Sequence, residues 1–160
     1  MSKIEKLLGE GLLKGFAGET EFQTVQRGQF RLESSTYVSP EGGVYHDEWI
    51  ADRTGGGQEI AQIGEEKTTR LYAGGTISVE ELTELGLTKK DITRQLKKFI
   101  KESNGNSRLL APYSSQEDDW TYDYHLIDSL PEIPLRVGME TIQFKGNLVF
   151  AHGFLHTSID

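Results

Sequence analysis

Apolar residues recur at Ile4, Leu7, Leu8, Leu12 and Phe16, the spacing of a helix with one hydrophobic stripe. Gly9, Gly11 and Gly15 fall in the same stretch. Each weakens an isolated helix by up to about 1 kcal/mol, so the segment is expected to form only when docked on a sheet. Residues 17–43 are mostly polar and close in the turn Ser39-Pro40-Glu41-Gly42-Gly43. The period then falls to two. Val44–Ala51, Gly57–Gly64 and Thr68–Gly75 read as strands close enough in sequence for an antiparallel meander. Helical spacing returns with two capping boxes, Ser78 before Glu81 and Thr88 before Asp91. Gly86 ends the first of these helices, and Glu102–Ser107 ends the second, whose apolar face is Ile92, Leu96, Phe99 and Ile100. Trp120–Ile127, Gly138–Phe144 and Leu148–Ile159 are again strand-like. The last is apolar on both faces: Leu148, Phe150 and Phe154 on one, Val149, Ala151 and Leu155 on the other. That pattern predicts burial on both sides, by helices on one and by a second copy of the chain on the other, so a homodimer is one expectation.

The order helix, then three strands, occurs twice. An offset of 77 carries Arg31 to Arg108, Tyr45 to Tyr122 and Ile50 to Ile127. After an insertion near Pro131–Pro134, an offset of 81 carries Gly57 to Gly138, Glu59 to Glu140 and Thr76 to Thr157. The expected fold is therefore α+β in a single domain, residues 1–160. It is built from two pseudo-repeats, about 1–77 and 78–160, each a helix plus a three-stranded antiparallel meander, with the helices packed on one face of the sheet.

Composition narrows the function more than the fold. The 160 residues contain no cysteine, which excludes disulfides, thiolate catalysis and cysteine metal sites. The net charge of −8 repels phosphate backbones, so general nucleic-acid binding is disfavoured. No window approaches the ~20 apolar residues of a membrane span. Charges and glycines interrupt the first segment, which does not read as a secretory signal. A soluble cytoplasmic protein is expected, with no membrane partner. Lys90, Arg94, Lys97 and Lys101 form a basic stripe with Lys89 and Lys98 nearby. This is either a solvated helix face or a faint echo of a nucleic-acid-reading helix.

Candidate chemistry centres on two carboxylates. Alternation puts Glu59 on one face with Ala61 and Ile63, and Glu140 on one face with Ile142 and Phe144. A carboxylate among apolar groups must find partners or take up a proton. The neighbouring strand faces carry Tyr45, Asp47 and Trp49 in the first half and Tyr122, Tyr124 and Leu126 in the second. One reading makes Glu59, Glu140, Tyr45, Trp49, Tyr122 and Tyr124 the lining of a polar ligand-binding cleft. The other places each glutamate at a strand end, in contact with water or a local backbone amide. No metal site or cofactor is expected. His152 and His156 have helical metal spacing, but on a strand they stand roughly 13 Å apart, too far for one zinc ion. The Thr54–Glu59 stretch lacks the Lys-Ser/Thr of a phosphate loop and reads as a turn or bulge.

The segments YHDEW, GGGQEI and TRLYAGGTI, followed by WTYDYHLI, GMETI and NLVFAHGFLHTSI, resemble an uncharacterised bacterial domain family. That family carries a tyrosine-rich strand, a Gly-Gln-Glu strand, a Tyr-x-Gly-Gly strand end and a degenerate second copy. The AHGFLHT ending departs from its pattern. The resemblance implies no activity. Some members are fused to a helix-turn-helix, which would imply sensing or oligomerisation. A helix starting by Ile4 leaves no room for that fusion here. The sequence thus points to a non-catalytic binding or interaction module for a small polar ligand or a protein partner. The alternatives are a hydrolase-like enzyme using Glu59 and Glu140, and more weakly a nucleic-acid-associated regulator acting through Lys90–Lys101.

Overall fold

A computed structural model describes every residue of the chain except Leu110. Helix α1 (Lys3–Lys14) precedes five strands: β1 (Gln23–Arg27), β2 (Phe30–Val38), β3 (Val44–Ala51), β4 (Thr54–Ile63) and β5 (Glu66–Thr76). Helices α2 (Val79–Glu84) and α3 (Lys89–Glu102) follow, then β6 (Tyr113–Glu117), β7 (Trp120–Leu130), β8 (Leu135–Phe144) and β9 (Asn147–Ser158). The strands form one antiparallel sheet in the order β1-β2-β3-β4-β5-β9-β8-β7-β6.

This corrects the expected architecture of two helix-plus-three-strand units. Five strands precede α2 and four follow α3, and β5 pairs with β9 from Thr68 opposite Ser158 to Thr76 opposite Phe150. Separate meanders would each leave an open row of backbone donors and acceptors, and the β5–β9 ladder satisfies both rows at once. Three strands were not anticipated. β1 and β2 lie in the polar stretch 17–43, joined by a hairpin at Gly28 in the left-handed region. Their buried positions include the adjacent Ser34 and Ser35, which give no hydrophobic alternation. β6 pairs only with β7, at the far edge of the sheet.

The helix signals match the structure closely. All three helices open on capping boxes, at Ser2, Ser78 and Thr88. The glycines of α1 serve packing, because Gly11 lies against the ring of Tyr45 and a methyl group there would fall among the ring carbons. The inner face of the sheet holds the core. Leu7 and Leu8 pack with Tyr45 and Ala61, while Ile92, Leu96, Phe99 and Ile100 of α3 pack with Tyr122, Ile142 and Phe150. Within the single chain no described element covers the outer face of β9. Leu148 and Leu155 are half exposed, with Leu71 opposite Leu155. A register shift at Ile142/Gln143 turns both Val149 and Phe150 inward.

Candidate functional site

Strand registers align a polar row across the inner face. Ser35, Asp47, Glu59, Arg70, His156 and Arg136 are successive cross-strand neighbours on β2, β3, β4, β5, β9 and β8. Four residues along, Gly74, His152, Glu140 and Tyr124 line up on β5, β9, β8 and β7. Both glutamates are fully buried, at 0% exposure, so the charge of each has to be answered from within the protein. For Glu59 the Tyr45 hydroxyl donates at 2.7 Å, Arg70 Nη2 donates at 2.8 Å, and Arg70 Nε completes the fork. For Glu140 the donors are Arg108 Nε at 2.8 Å, Arg108 Nη2 at 2.6 Å, the Tyr122 hydroxyl at 2.7 Å and His152 Nδ1 at 3.1 Å. Arg70 Nη1 donates to the carbonyl of Arg108, joining the two units into one network. Arg108 adopts φ +62°, a left-handed conformation uncommon outside glycine, in the segment between α3 and β6.

The charges follow from these contacts. Burial alone would push the Glu140 carboxyl up, but Arg108 and the His152 hydrogen bond outweigh it and hold it at about 2. Burial likewise opposes ionisation of Glu59, and the Arg70 charge and hydrogen bonds bring it below its ordinary value. Asp47 goes the other way. Its only side-chain hydrogen bond among the described residues comes from the Tyr72 hydroxyl at 3.0 Å, and burial with the nearby Glu59 charge pushes it up to about 8. Asp47 is therefore far less acidic than an ordinary aspartate. Burial, Arg70 and Arg136 depress His156 to about 4, so its ring is neutral. The Thr68 hydroxyl donates to the Thr157 carbonyl at 2.8 Å, so the 2.6 Å contact with His156 requires that Nε2 carry the ring hydrogen.

Two cavities adjoin the network. The larger, about 380 Å³, lies between the start of α1, the β4–β5 turn, the β7–β8 turn and the end of β9. Arg70, Arg108, Arg136, Tyr124 and His156 face it beside apolar Leu8, Leu109, Leu126 and Phe154. The guanidinium carbons of Arg70 and Arg108 stand 5.7 and 5.2 Å from the centre of the Phe154 ring. Gly138 lets the Tyr124 side chain cross β8, since a Cβ there would sit 2.6 Å from the hydroxyl oxygen. The smaller cavity, about 140 Å³, is walled by Asp47, Trp49, Tyr72, His152 and the glycines of β4 and β5. Arg108 borders both.

Of the residues expected at a cleft, Tyr45 and Tyr122 hold the two glutamates, Trp49 walls the smaller cavity and Tyr124 the larger. Glu59 and Glu140 lie behind the arginines and wall neither cavity, and they do not reach water at strand ends. Sequence reasoning missed Arg70, Arg108, Arg136, His152 and His156 as site residues. Arg70 was within reach, because it shares the inward parity of Thr68 and Tyr72, and an inward carboxylate demands a cation. His152 and His156 are hydrogen-bonded on the inner face, and no cluster of metal-ligating side chains occurs among the described residues. On α3, Lys89 pairs with Asp52, Arg94 with Asp91 and Lys98 with Glu117, and Lys97 lies over the rings of Phe16 and Phe22. No helix among the described residues is long and apolar enough to cross a membrane. No protein-family model matches the chain, and no curated protein or solved structure is significantly similar to it.

Proposed function

We propose that the protein binds a small organic molecule in the larger inner cavity and performs no chemistry on it. The observation that carries this reading is a pair of donors at the cavity wall, on largely buried residues, that meet no described acceptor. Arg108 is 5% exposed and its Nη1 makes no hydrogen bond to a described residue, and Tyr124 is 3% exposed with no partner for its hydroxyl among the described residues. Donors left free beside an apolar-walled space mark a place for a ligand. Catalysis by the paired glutamates is not favoured. Acid–base hydrolysis needs one carboxyl in its acid form, whereas both are held ionised by arginine and neither meets the cavity. The basic face of α3 is partly neutralised by its own acidic neighbours, which weakens the nucleic-acid reading.

A thermal-shift screen of small molecules on the wild-type protein and on Leu126→Trp tests this reading. Compounds that fill the cavity stabilise the wild type by about 2.7 kcal/mol at a hundredfold excess over Kd. The tryptophan, placed in the cavity wall, removes that stabilisation. Compounds that stabilise both proteins equally bind elsewhere and would refute the assignment.

A further inference from the structure

We infer that the ligand of the larger cavity is a small organic monoanion, a carboxylate head on an apolar body, with the head held by Arg136, Arg108 and Tyr124. This rests on the cavity being a binding site and adds the class of molecule that it takes. Charge balance across the inner wall gives the sign. Glu59 answers Arg70 and Glu140 answers Arg108 through forked contacts. Arg136 has no carboxylate partner among the described residues, and its cross-strand neighbours are His156 and Ser129. Arg136 is thus left at the cavity wall as a half-buried positive charge without a carboxylate partner among the described residues. Burial first, then Arg70 and Arg136, keep the neighbouring His156 ring from taking a proton, against the opposing pull of Glu59 and Glu5. Acidic side chains occur only toward the mouth, at Glu5, Glu65, Glu66 and Asp160, all partly or fully exposed.

The free groups also fit the head. Arg108 Nη1, the Arg136 guanidinium and the Tyr124 hydroxyl can all donate, as a planar carboxylate with two acceptor oxygens requires. Leu8, Leu109, Leu126 and Phe154 supply the apolar part of the wall. An aliphatic or aryl carboxylate satisfies both parts.

Isothermal titration with hexanoate, octanoate and decanoate, and with octanol and octylamine as charge controls, tests the class. Octanoate is expected to bind about tenfold or more tightly than octanol, as loss of a charged hydrogen bond implies, and octylamine not at all. Arg136→Gln should reduce octanoate affinity by a similar factor and abolish its advantage over octanol, with an unchanged circular dichroism spectrum. Tyr124→Phe should weaken octanoate more than octanol. Octanol or octylamine binding as well as octanoate, or Arg136→Gln retaining the preference, overturns the anion assignment and leaves the cavity as a site for another class. If no carboxylate binds while Leu126→Trp still removes stabilisation by an unrelated neutral compound, the class is wrong and the site stands. If Leu126→Trp removes nothing, the site itself fails.

Discussion

Glu59→Gln is the sharpest test of the buried network. The substitution keeps the size of the side chain and one oxygen able to accept from Tyr45. It removes the charge that answers Arg70, a guanidinium only 2% exposed, and can turn amide N–H groups toward guanidinium N–H groups. Removing one partner of a buried ion pair costs about 3–5 kcal/mol, because the remaining charge stays buried and unpaired. Set against a total stability of about 5–15 kcal/mol for a domain, that loss is severe. Urea denaturation followed by circular dichroism should show the midpoint falling with little change in slope. Arg70→Met alone leaves Glu59 uncompensated and orphans the Arg108 carbonyl. The double variant Glu59→Gln/Arg70→Met should therefore be less damaged than the sum of the singles, with a coupling of about 0.5–3 kcal/mol. A loss below about 1 kcal/mol for Glu59→Gln, or strictly additive singles, would mean that the buried charges do not depend on each other and would refute the network.

Three further outcomes are expected. Asp47 titrates at about 8 in the fold against 3.8 unfolded, so the unfolded chain releases a proton that the native state keeps. Stability from this group therefore falls as pH rises through that window. His156, at about 4 against 6.5, has the opposite sign but has given its full contribution above pH 6.5, and Glu140 above 4.5. Between pH 6.5 and 8, urea midpoints of Asp47→Asn should thus decline less than those of the wild type, and parallel profiles would contradict the assignment. Gly11→Ala raises intrinsic helix propensity by about 1 kcal/mol. It should nevertheless lower the melting temperature, because the methyl group overpacks the Tyr45 ring at a cost of about 1–3 kcal/mol. A raised melting temperature would show that α1 can lift off the sheet without loss. Gly138→Ala pushes on the Tyr124 hydroxyl and should lower both stability and octanoate affinity, whereas unchanged affinity would remove Tyr124 from the site.

Local rules carried the sequence reading a long way. Capping boxes located α2 and α3, and the period of two located β3, β4, β5, β7, β8 and β9, because these signals depend only on near neighbours. What failed was long-range. Nothing in β5 or β9 states that they pair with each other across some eighty residues, and β2 buries serines instead of an apolar row. The glutamates were visible as inward acids, but their partners were not. Arg70 sits on the adjacent strand beside Glu59, whereas Arg108 reaches Glu140 from an irregular segment with no periodicity to read. The same gap hid the cavity, whose walls come from α1, β5, β7, β8 and β9 together.

The place of β9 has a cost in time. It is the last of the nine strands to be made, yet it lies between β5 and β8 near the centre of the sheet. Until it emerges, both of those strands hold unpaired edges and the floor beneath Phe154 does not exist. Synthesis therefore passes through a stage in which β1–β5 and β6–β8 are made but the two groups cannot join. A stop before Asn147 would open the middle of the sheet, where loss of β1 would only fray a border.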